Sequence, residues 1–175
     1  MIPLLVRLMS GTVLVGIVIA ILSQPVLSSE SGKACSLVTS SDIESVLGST
    51  VTLNAGQSMP GGRAELCAGE APSAKVLLRL VNGLDPGRDR SGRKEKAGLE
   101  MMKNMGVQIE VKTAGPIVCS TLVPPAGKEQ IGYNTTCTVN KDKAMAAIEI
   151  TVNNKSDMVP IDKLFPLAEK MSGRF

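Results

Sequence analysis

Four cysteines behind an apolar leader constrain the folding of this chain more than any other feature. They are Cys35, Cys67, Cys119 and Cys137. In an exported domain of this size, four cysteines are typical of two disulfides, for which three connectivities exist. We favour Cys35 with Cys67, which would tie the start of the first helix to a strand, and Cys119 with Cys137, which would join two strands separated by one loop. The sequence has no Cys-x-x-Cys motif and none of the paired short spacings of a zinc site, so a redox or metal role is disfavoured.

Residues 1–30 have the pattern of an export segment. Arg7 precedes an apolar run from Leu8 to Leu22, and Pro25 and small residues follow, as in a signal peptide. If the segment is cleaved, "VLS" at residues 26–28 offers suitable residues before the cleavage point. If it is retained, residues 8–27 are near the length of a membrane-spanning helix. Both interpretations place residues 31–175, a single predicted domain, outside the cytoplasm, in the periplasm or on the periplasmic face of the membrane.

The composition excludes several classes of function. The chain has no His and no Trp, and its aromatic residues are Tyr133, Phe165 and Phe175. Without His, the commonest general base and the usual zinc ligand are missing, and so few aromatic rings disfavour base stacking and aromatic cages. The formal net charge of +3 is too small to indicate a nucleic-acid-binding surface. We therefore predict no enzyme activity, no catalytic residue, no cofactor, no metal site and no nucleic-acid partner.

Helix signals and apolar runs predict three helices separated by strands. Thr39 and Asp42 form a capping-box pattern at the start of the first helix, and Gly48 closes it. The second helix is predicted over residues 91–105, and the third at the C terminus, with Pro160 in its first turn and Pro166 kinking or restarting it. The predicted strands are "STVTL", "AELCAG", "AKVLLRLV", "VQIEV", "PIVCSTLV", "IGYNTTCTV" and "AMAAIEITV".

This order of elements predicts an α+β fold: a mainly antiparallel sheet with about three helices packed on one face. The continuous apolar run at residues 74–81 favours a central strand that is covered on both faces. A weak internal similarity also suggests duplication, since "CSLV" and "KVLLRLVN" in the first half compare with "CSTLV" and "AMAAIEITVN" in the second.

The stretch "CSLVTSSDIESVLG" at residues 35–48, together with the later cysteine-bearing strand, the middle helix and the closing helix, resembles a group of small exported bacterial domains of unknown function. Many of these are lipoproteins, and they often open with a cysteine, a Leu-Leu-Thr-like cap and a Leu-Gly helix end. The resemblance extends over most of residues 35–175. It implies the fold and an extracytoplasmic location, and it carries over no catalytic residue.

A basic cluster in "RDRSGRKEK" is the candidate partner-binding segment. Its residues are Arg88, Arg90, Arg93, Lys94 and Lys96. Such a run could dock on anionic headgroups or an acidic partner, although charge runs are also common on solvated surfaces. The resulting hypothesis is a non-enzymatic accessory or structural subunit, tethered by its N-terminal helix, that binds a larger membrane protein assembly. The alternative is a periplasmic module that binds a small ligand or a metal.

Overall fold

A computed structural model describes residues 32–56, 58, 63–84, 98 and 100–175. The leader at residues 1–30 lies outside this range, so its cleavage and its membrane-spanning role remain predictions. Within the described ranges, no helix is long and apolar enough to cross a membrane.

The described chain forms seven strands and three helices. The strands are β1 (Thr52–Ala55), β2 (Ala64–Ala71), β3 (Ala74–Asn82), β4 (Gln108–Ala114), β5 (Ile117–Val123), β6 (Tyr133–Lys141) and β7 (Ala144–Val152). The helices are α1 (Ser40–Leu47), α2 (described at residues 98 and 100–104) and α3 (Ile161–Ser172). Short 3₁₀ turns occur at Lys33–Ser36, Glu129–Ile131 and Lys155–Asp157.

All seven strands join one antiparallel sheet in the order β1-β2-β3-β7-β6-β5-β4. The predicted α+β class with an antiparallel sheet is therefore confirmed. Strands β3 and β7 pair at the centre, although more than sixty residues separate them in sequence. Strands β1 and β4 are the two edges.

Helix α1 has the ends that the sequence predicts. The Thr39 hydroxyl accepts from the Asp42 backbone N–H, and the Asp42 carboxylate accepts from the Thr39 N–H, each at 3.1 Å. Gly48 ends the helix with φ of 70°, a left-handed conformation that glycine adopts without steric cost. Because these signals are local in sequence, they fix the helix ends before any tertiary packing is considered.

The core lies on one face of the sheet, here named the first face. Alternate residues on the central strands point into it, and the 3₁₀ turn at Lys33–Ser36, α1 and α3 contribute side chains to the same core. The largest fully buried side chains include Leu37, Ile43, Leu78, Ile148, Ile150, Leu164 and Met171. Whether α2 shares this face, as the sequence predicts for all three helices, stays a prediction.

The opposite side of the sheet, here named the second face, consists of the residues that alternate with the buried ones. On the central strands these are Lys75, Leu77, Arg79 and Val81 of β3, Met145, Ala147, Glu149 and Thr151 of β7, and Asn134, Thr136, Thr138 and Asn140 of β6. Apart from Ala147 they are half-buried or exposed. The prediction that residues 74–81 are covered on both faces is therefore wrong, because a strand of an antiparallel sheet can keep one face partly solvated.

Helix α3 docks on the first face through an apolar stripe: Ile161, Leu164, Leu167, Ala168 and Met171. Pro160 is its N-cap rather than a residue of its first turn, and the helix continues through Pro166. The buried Thr135 hydroxyl donates to the Val159 carbonyl at 2.6 Å, just before the helix begins. This bond fixes the entry of the chain into α3.

The β2–β3 and β6–β7 hairpins have matching layouts. Strands β3 and β7 each contain nine residues. Cys67 lies opposite Leu78, and Cys137 lies opposite Ile148, with the same sequence separation in both pairs. The hairpins are thus alike in length and cysteine position, whereas an internal duplication of the chain stays a prediction.

Candidate functional site

The four cysteines form two disulfides in the pairing that the sequence favours. Cys35 bonds to Cys67 with a Cα–Cα distance of 5.1 Å, and Cys119 bonds to Cys137 with a Cα–Cα distance of 4.0 Å. Cys67, Cys119 and Cys137 are fully buried in the core, and Cys35 is half-buried against it. Both disulfides therefore have a structural role. The first links the N-terminal segment to β2, and the second links the neighbouring strands β5 and β6.

The predicted partner-binding cluster lies outside the described residues. All five of its members, Arg88, Arg90, Arg93, Lys94 and Lys96, fall within residues 85–97. Their role stays a prediction, and the candidate site below is built from other residues.

Four hydrogen-bonded polar residues lie on the second face, toward the start of β6 and the end of β7. The Asn134 side-chain amide donates to the Glu149 carboxylate at 2.8 Å and to the Thr151 hydroxyl at 3.1 Å. The Thr136 hydroxyl donates to the Asn134 Oδ1 at 2.7 Å. We call these residues, on the adjacent strands β6 and β7, the polar network. Because both amide hydrogens of Asn134 are engaged, its side chain is fixed in one orientation.

Arg79 lies on β3, on the same face as the polar network and diagonal to Glu149 in the register. The register places it opposite Leu66 of β2 and Ala147 of β7, and Ala147 in turn lies opposite Thr138. The Arg79 side chain is half-buried between these small and apolar neighbours. Among the described residues it makes no hydrogen bond or ion pair, so its five N–H donors are available to a ligand.

Apolar side chains flank the polar network and Arg79 on both sides. Leu66, Leu77 and Val81 lie toward the β1 edge, and Val118 and Leu122 lie toward the β4 edge. All five are half-buried. The second face therefore carries polar residues with apolar residues on both sides, and its one buried residue on the central strands is the small Ala147.

A cavity of about 240 Å³ adjoins the polar network at the ends of β3 and β7. Its lining includes Ser73, Lys75, Ile131 and Asn153, and Thr151 belongs to both the cavity and the network. The Ile131 side chain is 60% exposed at its rim. The cavity offers hydroxyl, amide and ammonium groups, which suit a small polar ligand.

Other concavities lie away from the polar network, among them one of about 350 Å³ between the β6–β7 turn and Phe175. One of about 450 Å³ lies between residues 35–40 and β1, and one of about 330 Å³ lies between β4 and the start of α3. The concavity between β4 and α3 contains the exposed Lys112–Asp162 ion pair. In the part of the chain that the structure describes, no three His, Cys, Asp or Glu side chains are grouped as metal ligands would be.

Two carboxylates outside the second face have lowered pKa values, and both are explained by structure. The Lys170 ammonium and the Thr39 N–H hold the pKa of Asp42 at about 2. The Gly127 backbone N–H lowers the pKa of Glu129, an exposed residue in a turn. Both shifts are accounted for by hydrogen bonds that cap local backbone, with the Lys170 ion pair added at Asp42.

The polar network and Arg79 were not predicted as site residues, although the sequence carries a signal for them. In "YNTTCTV", polar residues alternate with core residues, and Arg79 and Glu149 each interrupt an apolar strand. Alternation shows that these residues share a face. It does not show which strands are neighbours, and this pairing is what brings them together.

One comparison with known proteins gives a match. The fold is similar to that in the crystal structure of the extracellular domain of PknH from Mycobacterium tuberculosis, with a TM-score of 0.51 and 11% sequence identity over 82% of this chain and 94% of that chain. At this identity the likeness is one of fold. No protein-family model matches the sequence, and no curated protein matches it.

Proposed function

We propose that this chain is a non-enzymatic extracytoplasmic recognition domain, an accessory subunit that binds a protein partner across its second face. The observation that carries the proposal is Arg79, a half-buried residue whose guanidinium pairs with no described residue, on the same face as a fixed polar network. An unpaired cation in a partly buried position costs desolvation, so it contributes little to the fold. A carboxylate of a partner would pair with it through two hydrogen bonds.

The disulfides support the location in this proposal. Two disulfides with no free cysteine among the described residues are typical of a chain that folds in an oxidising compartment. We also propose that the domain lies on the periplasmic side of the membrane and is tethered to it through residues 8–27. The intact mass of the exported protein tests the tether, because cleavage near Ser28 removes the apolar run and retention keeps it.

Site-specific photocrosslinking in the native cell tests the partner-binding face. A photoreactive residue replaces Thr138 or Ser120 on the second face, and in a matched control it replaces Glu169, which is exposed on α3. We expect one protein adduct of defined mass from Thr138 and Ser120 and none from Glu169.

The same adduct should weaken when Arg79 is replaced by Ala. Adducts from the α3 position alone, or second-face adducts that do not respond to Arg79→Ala, would contradict the proposal. Circular dichroism of the Arg79→Ala variant shows whether the fold is intact, so that loss of the adduct is not loss of the domain.

The second candidate function is binding of a small polar ligand in the 240 Å³ cavity, which shares Thr151 with the polar network. The cavity is small for a drug-sized molecule and suits a compact solute. Native mass spectrometry of the exported protein tests it. An added non-covalent mass that disappears in Lys75→Ala supports this function, and an unliganded mass in wild-type protein from native cells counts against it.

A further inference from the structure

Strand β4 presents a free edge. Its sheet neighbour is β5, and no described residue forms a backbone hydrogen bond along its other side. It is seven residues long, without glycine or proline, and every residue except Ile109 is exposed. Long edges without bulges or prolines readily accept another strand. The opposite edge, β1, has only four residues and offers a shorter template.

We propose that a second copy of this chain binds this edge, with the two β4 strands antiparallel and Val111 of each copy opposite Val111 of the other. The result is a symmetric dimer with one continuous sheet. An antiparallel self-pairing has two-fold symmetry, so both copies use the same surface and the assembly closes at two.

The charges of β4 select this register. Centred on Val111, the pairing places Glu110 of each copy opposite Lys112 of the other, which gives two opposite-charge pairs on the first-face side. Cross-strand partners of opposite charge stabilise a sheet, and like charges destabilise it. Shifting the strands by two residues centres the pairing on Glu110 or on Lys112 and places two like charges in direct opposition. Shifts by one residue would mix the two faces of the sheet.

Two features of the free chain fit this arrangement. The Val111 side chain is 48% exposed, and the facing Val111 of a second copy would cover it. The Lys112 ammonium lies 2.6 Å from the Asp162 carboxylate and 5.4 Å from the centre of the Phe165 ring, on the first-face side of β4. A partner Glu110 would place a second carboxylate near this ammonium.

The dimer should be weak. One strand pairing of seven residues buries less than the roughly 1,200–2,000 Å² of a standard stable interface, so dissociation on dilution to low micromolar concentration is expected. Sedimentation velocity of the exported protein, over about 1 µM to 1 mM, measures the dissociation constant.

Charge reversal provides the test and its control. Glu110→Lys places Lys opposite Lys112 twice and should raise the dissociation constant at least about tenfold. Glu169→Lys makes the same charge change on exposed α3 and should leave it unchanged. Lys112→Glu alone should raise the dissociation constant by a similar factor, whereas an equimolar mixture of Glu110→Lys and Lys112→Glu should form heterodimers, because opposite charges then face each other at both positions.

Cysteine crosslinking checks the register directly. Val111→Cys should form a disulfide-linked dimer on mild oxidation, and Thr113→Cys, whose opposite residue would be Ile109, should not. A wild-type protein that is monomeric at 1 mM, a dimer that Glu110→Lys does not weaken, or a mixture that fails to associate while both variants keep the wild-type melting temperature would each overturn the proposal. Circular dichroism melts of all variants separate these results from misfolding.

Discussion

The Thr135 side chain is fully buried. Its hydroxyl donates a hydrogen bond to the Val159 carbonyl, which fixes the segment before α3. Thr135→Val keeps the side-chain shape but leaves the Val159 carbonyl without its donor. We expect the free energy of unfolding to fall by about 1–3 kcal/mol, the cost of an unsatisfied buried polar group. Urea denaturation measures the change. Thr138→Val, on the second face of the same strand, is the matched control and should change stability by less than about 0.5 kcal/mol.

Asp42 makes the stability depend on acid pH. Because its pKa falls from 3.8 to about 2 in the folded protein, the ionised form stabilises the fold above about pH 4, and this stabilisation is lost as the pH falls through about 2. Asp42→Asn should lower the free energy of unfolding by about 1 kcal/mol at neutral pH, since the Lys170 partner is half exposed and screened by solvent.

The difference between wild type and Asp42→Asn should therefore shrink between about pH 4 and pH 2 in thermal or urea melts. Asp162→Asn is the control, because it removes an ion pair whose carboxylate side chain is 82% exposed. A gap between wild type and Asp42→Asn that stays constant down to pH 2 would show that the Asp42 charge is not the source of the effect.

Among the elements, the N-terminal segment depends most on a covalent bond. Cys35 lies in the 3₁₀ turn at Lys33–Ser36. It forms a disulfide with Cys67 of β2, 32 residues later in the sequence. Closing a loop of that size contributes about 3–4 kcal/mol in the chain-entropy description. Replacing both cysteines by Ala should lower the unfolding free energy by this amount, as urea denaturation would show.

The same variant should lose hydrogen-exchange protection locally, in the 3₁₀ turn and α1, before the central strands. Replacing Cys119 and Cys137 by Ala is the comparison, since those residues lie on paired strands that stay hydrogen-bonded without the disulfide. That variant should show a similar global loss but no selective exposure of α1. Equal local exposure in both variants would show that the first bond does not fasten the N-terminal segment.

The ends of an element were predictable from sequence where local capping residues set them. They were less predictable where pairing with another strand sets them. The ends of α1 follow from Thr39, Asp42 and Gly48, all within one short segment. Strand β1, predicted at "STVTL", begins at Thr52 and runs to Ala55 because its limits are set by pairing with residues 67–70 of β2. Ile131, the first residue of the predicted strand "IGYNTTCTV", instead lies in a 3₁₀ turn and is exposed.

At the scale of the molecule, the sequence predicted the fold class and the disulfide pairs but not the candidate site. The class follows from the order of elements. The site depends on the central pairing of β3 with β7, which brings Arg79 diagonal to Glu149 across a long sequence separation. Nothing local to Arg79 or Glu149 encodes that neighbourhood, so periodicity assigned both residues to strands without placing them together.

The difference between the two faces of the sheet can be tested with neighbouring leucines on β3. Leu78 lies on the first face, fully buried opposite Cys67 and Ile148, whereas Leu77 lies half-buried on the second face opposite Glu149. Leu78→Ala should lower the free energy of unfolding by about 2–5 kcal/mol, because it leaves a cavity in the core. Leu77→Ala should cost about 1 kcal/mol, since its side chain is only partly removed from water.

Urea denaturation measures the loss of unfolding free energy in each variant. Because the substitution and the strand are the same, a difference between the two losses reports the environment of the side chain. Equal losses would mean that the second face is packed as tightly as the core and has no surface to offer a partner. A clear difference would leave Leu77 and its neighbours available, and Leu77→Ala should then weaken the second-face crosslinks while the fold remains intact, because an apolar border residue contributes to binding only when a partner covers it.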